Sequence, residues 1–276
     1  MSFDKSKPSL AVASCVPRAL AALLLLGAGT VATAASSYDN FQSGHLDPAK
    51  WTSRPFDQCN QATTLECIRE VTPRKHLELG IRTLGANASD SGITYDNSFV
   101  DFAKPAAITS ISADVLIPST SSISCENNPQ RSFSQFLMTG SFFSTGTSPD
   151  YLGDLDAYIF IDTNSPNGAL EAGAFLGTNN TYFGNVQFGQ VSPGEPLRLT
   201  LRWDKAGSLF VFSMTHLLTG QQTLVSIPYA QTVAGPPSYD FKEMGTRNFV
   251  ANCTTTQTST QMDALVDNVH VNSPVP

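Results

Sequence analysis

From residue 36 onward, apolar residues in this chain recur at every second position rather than every third or fourth. Leu197, Leu199, Leu201 and Trp203 alternate with Arg198, Thr200 and Arg202. The same alternation runs through Leu77, Leu79 and Ile81, and through Ile111, Ala113 and Val115. A period of two sets one face on a core and the other toward water, as in strands of an antiparallel sheet. Residues 156–161 and 209–214 are apolar on both faces, which predicts central strands covered on both sides or strands lying beneath long loops. Turn signals punctuate the strands at residues 162–168, at Pro193-Gly194, at Lys205-Ala206-Gly207 and at residues 234–237. Residues 203–209 read as a hairpin with Gly207 at positive φ. No long amphipathic helix interrupts the pattern. It predicts an all-β fold of two packed antiparallel sheets.

The first 35 residues break this pattern. Lys5, Lys7 and Arg18 precede an apolar run from Ala19 to Ala28, which ends in Val31-Ala32-Thr33-Ala34-Ala35. That is the layout of a signal peptide cleaved near Ala34-Ala35. The run falls short of the ~20 residues of a membrane span, so the mature chain carries no transmembrane segment. Val12-Ala13-Ser14-Cys15 looks like a lipidation box but stands before the apolar run, where the site should follow it. The expectation is a secreted or periplasmic protein with one domain over 36–276. Removing Lys5, Lys7 and Arg18 from 16 basic residues and Asp4 from 23 acidic ones leaves 13 and 22, a net charge of −9. Such a chain lacks the basic footprint that nucleic acid or anionic lipid requires.

Four cysteines remain after the leader: Cys59, Cys67, Cys125 and Cys253. An even count in an exported chain points to two disulfides. Cys59 and Cys67 are close enough to bridge locally, which leaves Cys125 for Cys253. A metal site is the rival reading, but no C-x₂-C spacing supports it.

Two short segments at opposite ends carry a family resemblance. Near the start stand Tyr38-Asp39-Asn40-Phe41 and Leu46-Asp47-Pro48-Ala49-Lys50-Trp51; near the end stands Leu265-Val266-Asp267-Asn268-Val269-His270-Val271. This pairing resembles the secreted bacterial concanavalin A-like lectin/glucanase superfamily, LamG-like jelly-roll domains. The resemblance implies a jelly-roll β-sandwich whose first and last strands lie side by side. On strict alternation, Asp267 shares the core-facing side with Leu265, Val269 and Val271. A carboxylate there needs a partner, because an unpaired buried charge is costly. Either backbone N–H groups of the entering chain or a structural calcium shared with Asp39 and Asn40 would serve.

Hydrolases of this superfamily carry Glu-x-Asp-x-Glu on one strand, and this chain has no such triplet. Asp154 and Asp156 share a strand face with Tyr158 but read as solvated residues at a loop end, and Glu171 stands alone. Lyase phrases, Gly-x-Ser-x-Gly and H-E-x-x-H are absent as well. Binding asks only for aromatic rings to stack on a sugar and polar groups for its hydroxyls. Tyr158, Asn179, Asn180, Tyr182 and Asn185 form the candidate set. The leading expectation is a non-catalytic glycan-binding or envelope-associated protein with a polysaccharide or glycan partner. A polysaccharide-degrading enzyme of the same fold, or a purely structural or adhesive envelope component, are the alternatives.

Overall fold

The computed structural model describes residues 36–52, 63–163, 169–179 and 181–272. The proposed leader and Cys59 lie outside them. The strands, in chain order, begin with β1 (Ser36–Asp39), β2 (Trp51–Thr52), β3 (Thr64–Val71), β4 (Leu77–Leu84) and β5 (Ile93–Phe102). They continue with β6 (Ser110–Ile123), β7 (Phe133–Ser144), β8 (Asp154–Asp162), β9 (Leu170–Gly177) and β10 (Tyr182–Val191). The last five are β11 (Leu197–Asp204), β12 (Leu209–His216), β13 (Gln222–Pro228), β14 (Lys242–Ala251) and β15 (Ser259–Val271). Among the described residues no helix is long and apolar enough to cross a membrane.

Two antiparallel sheets form a sandwich, as the alternation predicts. One has the order β13-β12-β11-β6-β15-β4-β3, with β1 added beside β15; the other has seven strands in the order β10-β9-β8-β7-β14-β5-β2. The alternating residues meet between them: Leu77, Leu79, Ile81, Ile111, Ala113, Val115, Leu197, Leu199 and Leu201 are all buried in one continuous core. Facing them from the seven-stranded sheet are Phe136, Met138, Leu155, Ala157, Ile159 and Ile161. Beside this core lies a polar patch. Asn248, with no exposed surface, donates to the Thr260 carbonyl at 2.8 Å and to Thr83 Oγ1 at 3.1 Å, and accepts from Ser134 at 2.8 Å. Every one of these buried groups is thereby satisfied, the condition for polar residues to survive in a core.

The first and last strands lie side by side, as expected. Along β15, β4 covers Ser259–Val266 and β1 takes over beyond it, with Ser36 opposite Val271 and Asp39 opposite Val269. Trp51 packs with Tyr38, Phe41 and Phe102, at ring-centre distances of 4.8–5.9 Å. The parity of Asp267 differs from the expectation. Met262, Ala264 and Val266 face the core, so Leu265 and Asp267 face outward. A bulge between Asp267 and His270, with Asn268 at φ 47°, adds a residue and turns Val269 back inward. Asn is one of the few residues that tolerate this left-handed conformation.

Three further expectations are adjusted. The 203–209 hairpin forms, but Ser208 rather than Gly207 takes the positive φ, at 51°. Asp204 accepts from the Gly207 amide at 3.0 Å and so supplies the turn's bond itself. Strand β12, expected as a central strand covered on both sides, is buried on both faces from Phe210 to Met214 but lies one strand from the sheet edge. Asp154 is not solvated: it is 1% exposed, and its two oxygens accept the Ser238 and Tyr239 amides at 2.8 and 2.9 Å. Cys125 and Cys253 form the expected disulfide, their Cα atoms 5.6 Å apart. Cys67 is also disulfide-bonded.

Candidate functional site

The outward face of the seven-stranded sheet carries the densest chemistry. Strands β7 and β8 send Phe136, Met138, Ile159 and Ile161 into the core, so the intervening Gln135, Leu137, Thr139, Tyr158 and Phe160 point the other way. Strand pairing then fixes one row across all seven strands. Asn185 lies opposite Phe175, Phe175 opposite Tyr158, and Tyr158 opposite Thr139. Thr139 in turn lies opposite Glu243, Glu243 opposite Asp101, and Asp101 opposite Thr52.

Beside that row the floor is apolar. Phe99, Leu137 and Phe160 are 2–4% exposed and form a second, small cluster with Tyr158 against it. Glycines make room for the rings to lie flat. A Cβ on Gly245 would stand 2.0 Å from the Phe99 ring, and one on Gly173 would stand 2.6 Å from Phe160.

Aromatic rings continue above the floor as a ladder. Tyr158 stacks on Phe175 at 4.5 Å, and Phe175 meets Tyr182 edge-on at 5.5 Å. Tyr182 is 63% exposed, while Tyr158 and Phe175 are half-buried. On the other side, Arg247 places its guanidinium 5.8 Å from the Tyr158 ring centre and 5.2 Å from that of Phe249. Phe249 stacks on Phe133 at 4.4 Å and packs on Tyr95 at 5.1 Å. Arg247 is oriented by Gln135, whose Oε1 accepts from Nε at 2.7 Å. Burial raises the Tyr158 phenol's pKa and outweighs the neighbouring Arg247, which pulls the other way. Tyr158 is therefore a neutral hydroxyl at physiological pH, able to donate and accept.

Of the residues singled out from sequence, Tyr158 and Tyr182 join this ladder through Phe175, and Asn185 borders it on β10. Asn179 is exposed in the turn before β10, and Asn180 lies outside the described residues. Phe175, Arg247, Phe249, Phe133 and Gln135 are not legible as a group, because three separate strands deliver them. The same holds for Glu243 and Asp101. They form a cross-strand carboxylate pair from segments far apart in sequence, whereas the sequence search looked for acids along one strand.

Asp39, Asn40 and Asp267 do not converge. Asp39 turns inward, accepting the Phe41 amide at 2.9 Å and the Trp51 indole N–H at 2.8 Å, with Lys50 at 3.6 Å. Asn40 accepts from Gln42 at 3.4 Å. Asp267 lines a surface groove with His76, 3.8 Å away, and accepts the Asn268 amide. These three residues do not fit a shared calcium, and hydrogen bonds hold the seam.

No protein-family model matches the chain, and no curated protein matches it. Solved structures do resemble it. A glycosyl hydrolase family 16 protein from Mycobacterium smegmatis is 13% identical, with 86% of this chain and 98% of that one covered at a TM-score of 0.42. Lectin II from Ulex europaeus is 11% identical over 81% of this chain and 97% of its own, at 0.36. Scytalido-glutamic peptidase, solved with a peptide-based transition state analog, is 12% identical over 65% and 69%, at 0.36. The jelly-roll sandwich itself rests on the strand order and pairing described above.

Proposed function

We propose that this chain is an exported, non-catalytic glycan-binding protein that holds a neutral polysaccharide along the outward face of its seven-stranded sheet. The ladder Tyr182–Phe175–Tyr158, continued by Arg247 to Phe249, carries this reading. Ring faces bind the apolar faces of pyranose rings, while phenol, amide and guanidinium groups beside them reach the hydroxyls. Charge selects the kind of glycan. Among the described residues this face bears Asp101, Asp156, Asp162, Glu171 and Glu243 against Arg247 and, beside Asp101, Arg69; acids outnumber bases, so polyuronates are repelled and uncharged chains are not. Export is supported by the apolar leader and by the Cys125–Cys253 disulfide.

The test is depletion of the purified protein from solution by insoluble glucans, xylan and mannan, with polygalacturonate as the charged control. Retention by at least one neutral polymer, weakened about tenfold or more in Tyr158→Ala, is the expected result; stacking of a ring contributes on the order of 1 kcal/mol or more. Retention unchanged in Tyr158→Ala and Arg247→Met would remove the ladder from the site.

One observation favours a second reading, a polysaccharide hydrolase. Glu243, 3% exposed, stands directly opposite Asp101 on the same face. Opposed side chains on antiparallel strands start about 5 Å apart at Cβ, which allows the 5–9 Å carboxyl separation that glycoside hydrolysis uses. Release of reducing ends by the wild type, abolished in Glu243→Gln with retention intact, would establish this reading. Retention without release leaves binding.

A further inference from the structure

A cavity of about 410 Å³ lies at another place in the fold, lined from both sheets and roofed by the segment between β13 and β14. Phe142 and Phe143 at the end of β7, Trp203 of β11 and Pro236 and Pro237 of the roof give it apolar walls. Its volume falls within the ~300–1,000 Å³ of small-molecule sites. The roof is fixed rather than free. Asp154 holds its Ser238 and Tyr239 amides, and Gly235 pairs with Ser144.

Into these walls the chain places an ammonium group. Lys242 is 2% exposed, and its stem runs across Gly140, where a Cβ would meet the lysine Cδ at 2.1 Å. Nζ lies 4.5 Å from the Phe142 ring centre and donates to the Ser141 carbonyl and to Asp240 Oδ1, the latter at 3.1 Å. An ammonium has three N–H donors, and among the described residues these two acceptors take two of them. Burial lowers the Lys242 pKa, with Asp240 and Asp156 opposing that effect. An anion entering the cavity would restore the charge's solvation. Lys205 adds a second cation at the wall, 5.7 Å from the Trp203 ring centre. The lining itself carries these two lysines against Asp240, with Asp156 a further anion near Lys242. Trp203 and Phe143, stacked on each other with ring centres 5.2 Å apart, give the lining a continuous apolar surface against which a flat body can lie.

We propose that this cavity is a second ligand site, which takes a small aromatic or similarly flat carboxylate, its anionic head on Lys242 and its body against Trp203 and Phe143. The site is separate from the glycan face and does not depend on it.

Benzoate is the probe, titrated into the purified protein while the two tryptophan indole N–H resonances are followed by NMR. Saturable movement of the Trp203 resonance, with Trp51 unmoved, is expected. Lys242→Met should weaken binding at least tenfold, the scale of a lost charge-assisted hydrogen bond. Benzyl alcohol, of similar shape but uncharged, should bind at least tenfold more weakly than benzoate by the same reasoning. Asp240→Asn, which spares the fold by changing a partly exposed rim residue, should tighten benzoate severalfold by removing a competitor for Nζ. That variant and the benzyl alcohol comparison decide the matter if Lys242→Met fails to fold. No saturable shift, equal binding of benzyl alcohol, or weaker binding in Asp240→Asn would overturn the proposal. Inorganic phosphate binding as tightly as benzoate would overturn the part played by the apolar walls.

Discussion

Asp39 accepts the indole N–H of Trp51 at 2.8 Å, and this bond ties the first strand to the segment twelve residues further on. The same carboxylate takes the Phe41 amide where the backbone turns through φ 55°. The terminal seam therefore hangs on an anion in the entering strand, not on one in the closing strand.

Asp39→Ala strands two donors in a buried setting and should cost ~1–3 kcal/mol of stability. Asp267→Ala, at the surface, should stay within about 0.5 kcal/mol of wild type. Urea denaturation followed by tryptophan fluorescence compares the two. A larger loss in the Asp267 variant would contradict the seam as described.

Gly245→Ala drives a methyl into the Phe99 ring and to 2.3 Å from the Ser98 carbonyl, which is backbone and cannot swing aside. Overpacking of this kind costs about 1–3 kcal/mol. It should also tilt the floor beneath the ladder, so glycan retention should fall with the melting temperature. Retention that survives a clear drop in melting temperature would separate floor from ladder.

Asp96 has no exposed surface, and burial raises its pKa against the opposing bonds from Thr64, Asn97 and Thr83. A raised native pKa means that the folded state binds the proton more tightly than the unfolded state. Stability from this group is present below the unfolded value of about 3.8 and declines as pH rises through the native value. Melting of wild type and Asp96→Asn from acid toward neutrality should show this decline in the wild type and a flatter curve in the variant. Parallel curves would show that Asp96 does not set the slope.

Reducing Cys125–Cys253 opens a loop of 128 residues and should lower stability by about 2–5 kcal/mol. The bond also anchors the corner where Asp90 accepts the Thr254 amide at 2.7 Å. Protease cleavage near Thr254 in the Cys125→Ser/Cys253→Ser double variant, but not in the wild type, would report the loosened corner.

Where a residue's role depends on its own strand's alternation, the sequence is a sound guide: Leu197 through Leu201, or Leu77 through Ile81, go where period two sends them. Asp267 shows how that fails. One extra residue at the Asn268 bulge reverses parity, and nothing in Val266-Asp267-Asn268-Val269 marks the bulge beyond an asparagine that tolerates it. The site fails for a different reason. Tyr158 stands out in the sequence as an aromatic ring sharing a strand face with Asp154 and Asp156, but Phe175, Arg247 and Phe249 become its neighbours only through strand order. Glu243 and Asp101 are opposed only because β14 pairs with β5. Register across a sheet is a tertiary property, and single-strand patterns do not encode it.

The pairing of Ser36 with Val271 also bears on how the domain can be built into other proteins. Its entry and exit points lie one strand spacing apart, about 5 Å. A host loop could therefore accept the whole sandwich as an insert without being pried open. Equally, a short linker between these points, with the chain reopened at the exposed turn around Leu218, would reorder the strands in sequence and leave each one where it stands in space.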